Sequence, residues 1–415
     1  MNLHRSIPSP LGGLLCIFLY AQIHETAALS FDPFDAVDGV GSGFDFGGLS
    51  DFDQPGSEIK YDRAFQDYLD STSGSNGCHS LRPRVEWRDL TDRQRRSWID
   101  ANWCLTKKPS VLTSTQTNLT GLHTSLLSDF TLVHIRLFEV IHFVAAFLPW
   151  HRWYLIAREI AMRECGYQGP IPYWDWSIDA DTGHAASSPV LSDDEGIGGD
   201  GSRSGVLTTG PFAYFPNEYI SETNEASNLS IPLYRPHHLN RTFGSGLARN
   251  RTFPLSEDAF NTTFTQKVLL TNNDYRSFQP NLEGLEGRVD IDGMGPHSVI
   301  HRAFGGDMQL PHSPNDPVFF LHHANVDRLW WLWQKGLSLK DTRRFKSTVS
   351  ERVKTTDRRR LYDYGGNTMT LSVDRTGGPR ASLNDVQSIL GLYLPNIATY
   401  KLMDISRPPL CYTYI

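Results

Sequence analysis

A chain of 415 residues with a net charge of −7 lacks the basic balance of a nucleic-acid binder. Its length permits two or three domains, and an aromatic content of 12% allows a large aromatic-rich core. No apolar run is long enough to cross a bilayer as a helix, so no membrane span is expected in the mature chain.

The N-terminus carries Arg5, then the short apolar run LGGLLCIFLYA, then small residues around Ala21 to Ala28. That order reads as a secretory signal peptide over residues 1–28. Residues 29–77 are rich in Asp, Gly, Ser and Phe without periodicity, and read as an acidic irregular leader or pro-segment. From 78 to 415 neither a repeat nor an inter-domain linker interrupts the pattern, which predicts one large domain.

Within it, VEWRDLTDRQRRSWIDANWCL offers Thr91 as an N-cap and places Trp98, Ile99 and Trp103 on one helical face. Further helices are predicted from about Ser125 to Phe138 and from Pro149 to about Glu164. PIPYWDWSIDA is a compact aromatic segment, and DDEGIGGDGSRSG (193–205) reads as a surface loop. Residues 210–290 read as loop-rich, with one helix near 256–272. The most strongly patterned stretch is DPVFFLHHANVDRLWWLWQ (316–334). Asp316 is a side-chain cap and Pro317 suits the first helical position. Phe319, Leu321, Val326, Leu329, Trp330 and Trp333 then recur at roughly helical spacing, predicting a buried helix. The basic, polar run to Arg360 reads as a solvated face, and 382–394 as a short amphipathic helix.

Removal of the signal leaves Cys78, Cys104, Cys165 and Cys411, four cysteines that allow three pairings in an exported chain. The favoured pairing is Cys78 with Cys104 and Cys165 with Cys411, which would clamp the C-terminus beside the helix ending near Glu164. Sequons at Asn118, Asn228, Asn240, Asn250 and Asn261 predict a glycosylated surface, crowded between 228 and 263.

Two triplets of histidine carry the chemistry. His134, His142 and His151 lie in HIRLFEVIHFVAAFLPWHRWYL, the first near a helix end, the second in a connection and the third in the next helix. His297 and His301, in PHSVIH, share a helix face at i,i+4, and His323 comes from the 316–334 helix. Asp327, four residues beyond His323, is placed to orient that imidazole. Three neutral imidazoles per metal suit copper, zinc, iron or nickel. Paired sites with open positions can bind and reduce dioxygen only with a redox-active metal, which zinc is not.

HFVAAFLPWHRWYL, PYWDWSIDA and NDPVFFLHHANVDRLWWLWQ resemble the paired copper signatures of the tyrosinase/catechol oxidase family, to which the oxygen-carrying hemocyanins are related. The likeness extends from about Cys78 to Tyr414 and is strongest to short secreted fungal members, which also have a Y-x-Y near the end, here Tyr412 and Tyr414. It implies a mainly α fold in which a four-helix bundle with long loops holds two copper ions. It further implies that His134, His142 and His151 bind one copper, and His297, His301 and His323 the other. His323 is preferred to His322, and His134 to His123, on the family pattern. The Cys that forms a thioether in many members is replaced by Val140, so that cross-link is expected to be absent. The Asn that follows the first ligand of the second site in efficient tyrosinases is Ser298 here. Its acidic partner is Asp292, Glu286 or Asp290. The expected activity is therefore oxidation of ortho-diphenols or ortho-aminophenols by O2 to ortho-quinones outside the cell, with monophenol hydroxylation weak or absent. The alternative is a hemocyanin-like oxygen-binding protein without turnover.

Overall fold

The computed structural model describes residues 58–112, 122–224, 229–244, 257–284, 294–339, 358–366 and 379–415. The signal peptide and the greater part of the leader lie outside the described residues, as do Asn118, Asn228, Asn250 and the run from 340 to 357. The fold is mainly helical, as the sequence predicts.

The described end of the leader is not irregular. Helix α1 (Glu58–Thr72) lays Phe65 edge-on against Trp153 at 5.7 Å and buries Tyr68, whose hydroxyl donates to the Leu410 carbonyl at 3.2 Å. Burying these two rings is what orders a segment with weak periodicity, so the folded unit begins before residue 78. A hairpin of β1 (Ser73–Gly74) and β2 (Gly77–Cys78) leads to β3 (Arg82–Arg84). Helix α2 (Asp92–Leu105) starts at Thr91, which forms a capping box with Gln94.

Helix α3 (Leu126–Ile141) is capped by Ser125, and α4 (Phe147–Arg163) is buried along nearly its whole length. The short α5 (Trp176–Ala180) forms the end of the aromatic segment. Strands β4 (Pro216–Asn224) and β5 (Leu229–His238) form an antiparallel hairpin where loops were expected. Helices α6 (Thr262–Thr271), α7 (Tyr275–Glu283) and α8 (Pro296–Phe304) follow.

Helix α9 (Val318–Lys335) runs through the centre of the core, buried on every side from Val318 to Gln334. Asp316 accepts the Val318 N–H at 3.0 Å and also receives a two-pronged bond from buried Arg241, at 2.7 and 2.8 Å. Gly336, at φ 63°, closes the helix in the left-handed conformation that glycine adopts without strain.

The segment 382–394 is not a helix. Strands β6 (Val386–Gln387) and β7 (Ile397–Ala398) pair across a chain that turns through positive φ at Leu390, Gly391 and Tyr393. Ile389, Leu392 and Leu394 are buried by those turns, so their spacing mimics a helical stripe.

The disulfides are Cys78–Cys411 and Cys104–Cys165, which corrects the expected pairing. Strand β8 (Tyr412–Tyr414) pairs in parallel with β3, Arg82 opposite Tyr412 and Arg84 opposite Tyr414. Cys78 and Cys411 each lie just before one of these strands, and the pairing sets their Cα atoms 5.4 Å apart. Cys104 lies in the last turn of α2 and Cys165 just past the end of α4, and those two helices pack together.

Candidate metal centre

Helices α3, α4, α8 and α9 bring the predicted histidines together as two adjoining groups. His134 lies in mid-α3 rather than near its end, His142 caps the C-terminus of α3, and His151 lies in the second turn of α4. A nitrogen from each of the three lies within 4.8 Å of the others. His297, His301, His322 and His323 form the second group by the same measure. The two groups meet where the His151 and His323 rings stack at 4.3 Å.

Backbone carbonyls fix the imidazole tautomers. His134 Nδ1 bonds to the Pro311 carbonyl at 2.7 Å, His142 Nδ1 to Phe138 at 3.0 Å and His151 Nδ1 to Phe147 at 2.7 Å. His297 Nδ1 bonds to the Glu283 carbonyl at 3.3 Å and His301 Nδ1 to Met308 at 2.7 Å. A carbonyl can only accept, so each Nδ1 carries the proton and each Nε2 presents a lone pair. The Nε2 atoms of His134, His151 and His297 are buried without a hydrogen-bond partner. Orphaned lone pairs at the meeting point of six or seven imidazoles fit a metal-binding role.

The electrostatics agree. Burial lowers the His134 pKa to about 3 and the His301 pKa to about 4. Burial, reinforced by neighbouring imidazoles, holds His142, His151, His297, His322 and His323 well below the usual histidine value. All are neutral in the physiological range and available as ligands. Aromatic rings enclose them: Phe138 stacks on His142 at 4.3 Å, Phe147 meets His297 at 4.7 Å, and Phe319 meets His323 at 4.1 Å.

Asp327 does not orient His323. Its carboxylate accepts from Arg152 Nε at 2.5 Å, Arg84 Nη1 at 3.1 Å, the Tyr412 hydroxyl at 2.6 Å and the Tyr414 hydroxyl. Burial alone would raise its pKa, but the Arg152 and Arg84 guanidinium groups outweigh burial and lower it. Two buried cations and two phenols take up this carboxylate, and His323 Nδ1 has no hydrogen-bond partner.

Ser298 donates its hydroxyl proton to the Glu283 carbonyl at 2.5 Å. Asp292, Glu286 and Asp290 lie outside the described residues. Among the described residues, an acidic side chain that reaches the centre is Glu283, which the sequence reasoning missed. Its Oε1 accepts the Phe143 N–H at 2.7 Å, directly after His142, while its carbonyl serves His297. It thereby ties the two histidine groups together. Its only sequence signal is the i,i+4 spacing to Gln279, which donates to its other oxygen.

The remaining histidines stand apart. His123, His184 and His238 are exposed, while His312 and His237 bond to Asp307 instead. Asn240 and Asn261 are both partly exposed, and Asn261 caps α6 through its side-chain oxygen.

Comparison with known proteins places this geometry among relatives. The family model for the common central domain of tyrosinase matches residues 81–336. The tyrosinase-like protein phomQ1' of Diaporthe leptostromiformis is 35% identical over 274 residues, 64% of this chain and 66% of that protein. The chain thus spans just under two thirds of the length of that relative. The N-acetyl-6-hydroxytryptophan oxidase ivoB of Emericella nidulans is 30% identical over 362 residues, 80% of this chain and 91% of that protein. Among solved structures, that of a point mutant of a polyphenol oxidase from Thermothelomyces thermophila superposes with a TM-score of 0.63 at 26% identity, covering 88% of this chain and all of that one.

Proposed function

The chain belongs to the tyrosinase family, and from that premise we propose that it is a secreted dinuclear copper oxidase. Its substrates are ortho-diphenols or ortho-aminophenols, oxidised with O2 to ortho-quinones, and monophenol hydroxylation is weak or absent. The observation that carries the proposal is the pair of adjoining groups of neutral imidazoles, five of which, His134, His142, His151, His297 and His301, have Nδ1 pinned by a backbone carbonyl.

His134, His142 and His151 would hold one copper, and His297, His301 and His323 the other. His323 is favoured over His322 because its Nε2 lies 3.2 Å from that of His301 and its ring faces His151 across the boundary of the two groups. When bound, the coppers would supply the redox couple and the template that orients the substrate hydroxyls. The chain's own part is to keep the ligands neutral and aimed, and to exclude water with Phe138, Phe147 and Phe319. The donation from Ser298 to the Glu283 carbonyl supports low monophenol activity, because the hydroxyl proton is committed to the backbone. Two disulfides support passage through an oxidising compartment.

The test is oxygen uptake by copper-loaded protein with a monophenol, a catechol and an ortho-aminophenol side by side. Rapid uptake with the latter two and slow uptake with the first is expected. No uptake with any of them, despite reversible oxygen binding, would overturn the oxidase reading in favour of an oxygen carrier.

A further inference from the structure

A buried carboxylate outside the histidine groups is positioned to control both of them. After α8 the chain makes a 3-10 turn at Gly306–Gln309 and a second at Ser313–Asn315. Between them this short segment supplies two of the carbonyls that pin the imidazoles: Met308 holds His301, and Pro311 holds His134. One histidine of each group is therefore oriented by the same few residues.

The anchor of that segment is Asp307. Its Oδ2 accepts the Asn240 N–H at 2.8 Å, and its own N–H returns a bond to the Asn240 carbonyl at 3.0 Å. Its Oδ1 faces two imidazoles, His237 Nε2 at 3.0 Å and His312 Nε2 at 3.4 Å. The proton positions follow from the other ring nitrogens. The backbone N–H of Ser221 donates to His312 Nδ1 at 2.9 Å, so the His312 proton sits on Nε2, toward the carboxylate. His237 Nδ1 lies 2.9 Å from the Arg235 carbonyl while its Nε2 faces the carboxylate, so both of its nitrogens have acceptors. Making both bonds requires the imidazolium form.

The charges are consistent with that reading. Burial alone would raise the Asp307 pKa, but the bonds from His237 and His312 outweigh it and bring the pKa down to about 2. Burial alone would lower the His237 pKa, and the bond to Asp307 reverses that and raises it. The result is a carboxylate clasped between an imidazolium on β5 and a neutral imidazole, tying the hairpin to the segment under both groups.

We propose that Asp307, clasped by His237 and His312, is a positioning residue for both copper sites, acting through the Met308 and Pro311 carbonyls on His301 and His134. This rests on the copper reading above. The carboxylate touches no ligand, so its effect is on the aim of the ligands rather than on the chemistry.

Full-length wild type, Asp307→Asn and His237→Ala are titrated with Cu(II) against a competing chelator, with Cu(II) electron paramagnetic resonance recorded and folding followed by circular dichroism. Val190→Ala, a cavity in the core far along the chain from this segment, serves as the control for general loosening. Asp307→Asn is expected to weaken copper at both sites by roughly 10–100-fold, the usual cost of losing a partner that orients metal ligands. His237→Ala, altered at the more exposed end of the clasp, should show a smaller loss in the same direction and keeps the test valid if Asp307→Asn fails to fold. Both variants should alter the resonance spectrum, and Val190→Ala should not. Wild-type affinity at both sites in both variants overturns the inference, as does an equal loss in Val190→Ala. Wild type that takes up fewer than two coppers overturns the copper reading itself and this inference with it.

Discussion

Replacing Asp327 by Asn separates the closure of the fold from the metal centre. Arg84 and Arg152 are fully buried, and the Asp327 carboxylate is bonded to both, as well as to the hydroxyls of Tyr412 and Tyr414. An amide has no charge to offer, and its NH2 would face groups that are themselves donors. Breaking a buried ion pair from one side costs about 3–5 kcal/mol, because the remaining charge is left without compensation. At about 2 °C per kcal/mol, the lower end for larger chains, Tm should fall by roughly 6–10 °C. The assay is urea and thermal denaturation of the full chain beside copper analysis of the same preparation. The expected outcome is a large stability loss in protein that still takes up two coppers at native affinity. A loss below about 1 kcal/mol together with weakened copper binding would refute the reasoning, and would return Asp327 to the role of orienting His323.

The clustered histidines predict how the metal-free protein responds to acid. Their folded-state pKa values, about 3 for His134 and about 4 for His301, lie below the unfolded value near 6.5, so the unfolded chain binds more protons across that window. Their contribution to stability is complete above pH 6.5 and is lost as the pH falls toward 4, and the urea midpoint should drop steeply between those limits; a flat midpoint contradicts the burial argument. Ser298→Asn should raise the monophenol rate more than the catechol rate, on the order of tenfold or more, because a phenol with a reference pKa near 10 needs a positioned proton acceptor. Initial rates on both substrates decide it, and equal rates in the wild type would place the acceptor elsewhere.

What was legible in the sequence is what local chemistry specifies. Thr91 and Ser125 announce their helices because an N-cap is a property of a few neighbouring residues. The apolar pattern through Phe319 and Trp333 marks α9 because a helix buried on all sides must be apolar on all sides. His297 and His301 share a face by helical geometry alone, and the structure gathers the other predicted histidines around them. The failures are non-local. The cysteine pairing depends on β3 and β8, three-residue strands far apart in the chain and too short to carry a pattern. The β4–β5 hairpin was hidden by Pro232 and Pro236, which argue against a strand unless it lies at an edge. Asp327 shares a helix face with His323, yet spacing cannot show that Arg84, far earlier in the chain, holds it. The same limit hid Asp307, whose partners come from β5 and from beyond its own turn.

The central claim is that two separate metal sites exist on this chain, and copper stoichiometry tests it most directly. Reconstituted and dialysed wild-type protein should contain two coppers per chain, and His301→Ala, which strips one ligand from one group, should retain one. One copper or none in the wild type would contradict the account, however well the fold matches its relatives.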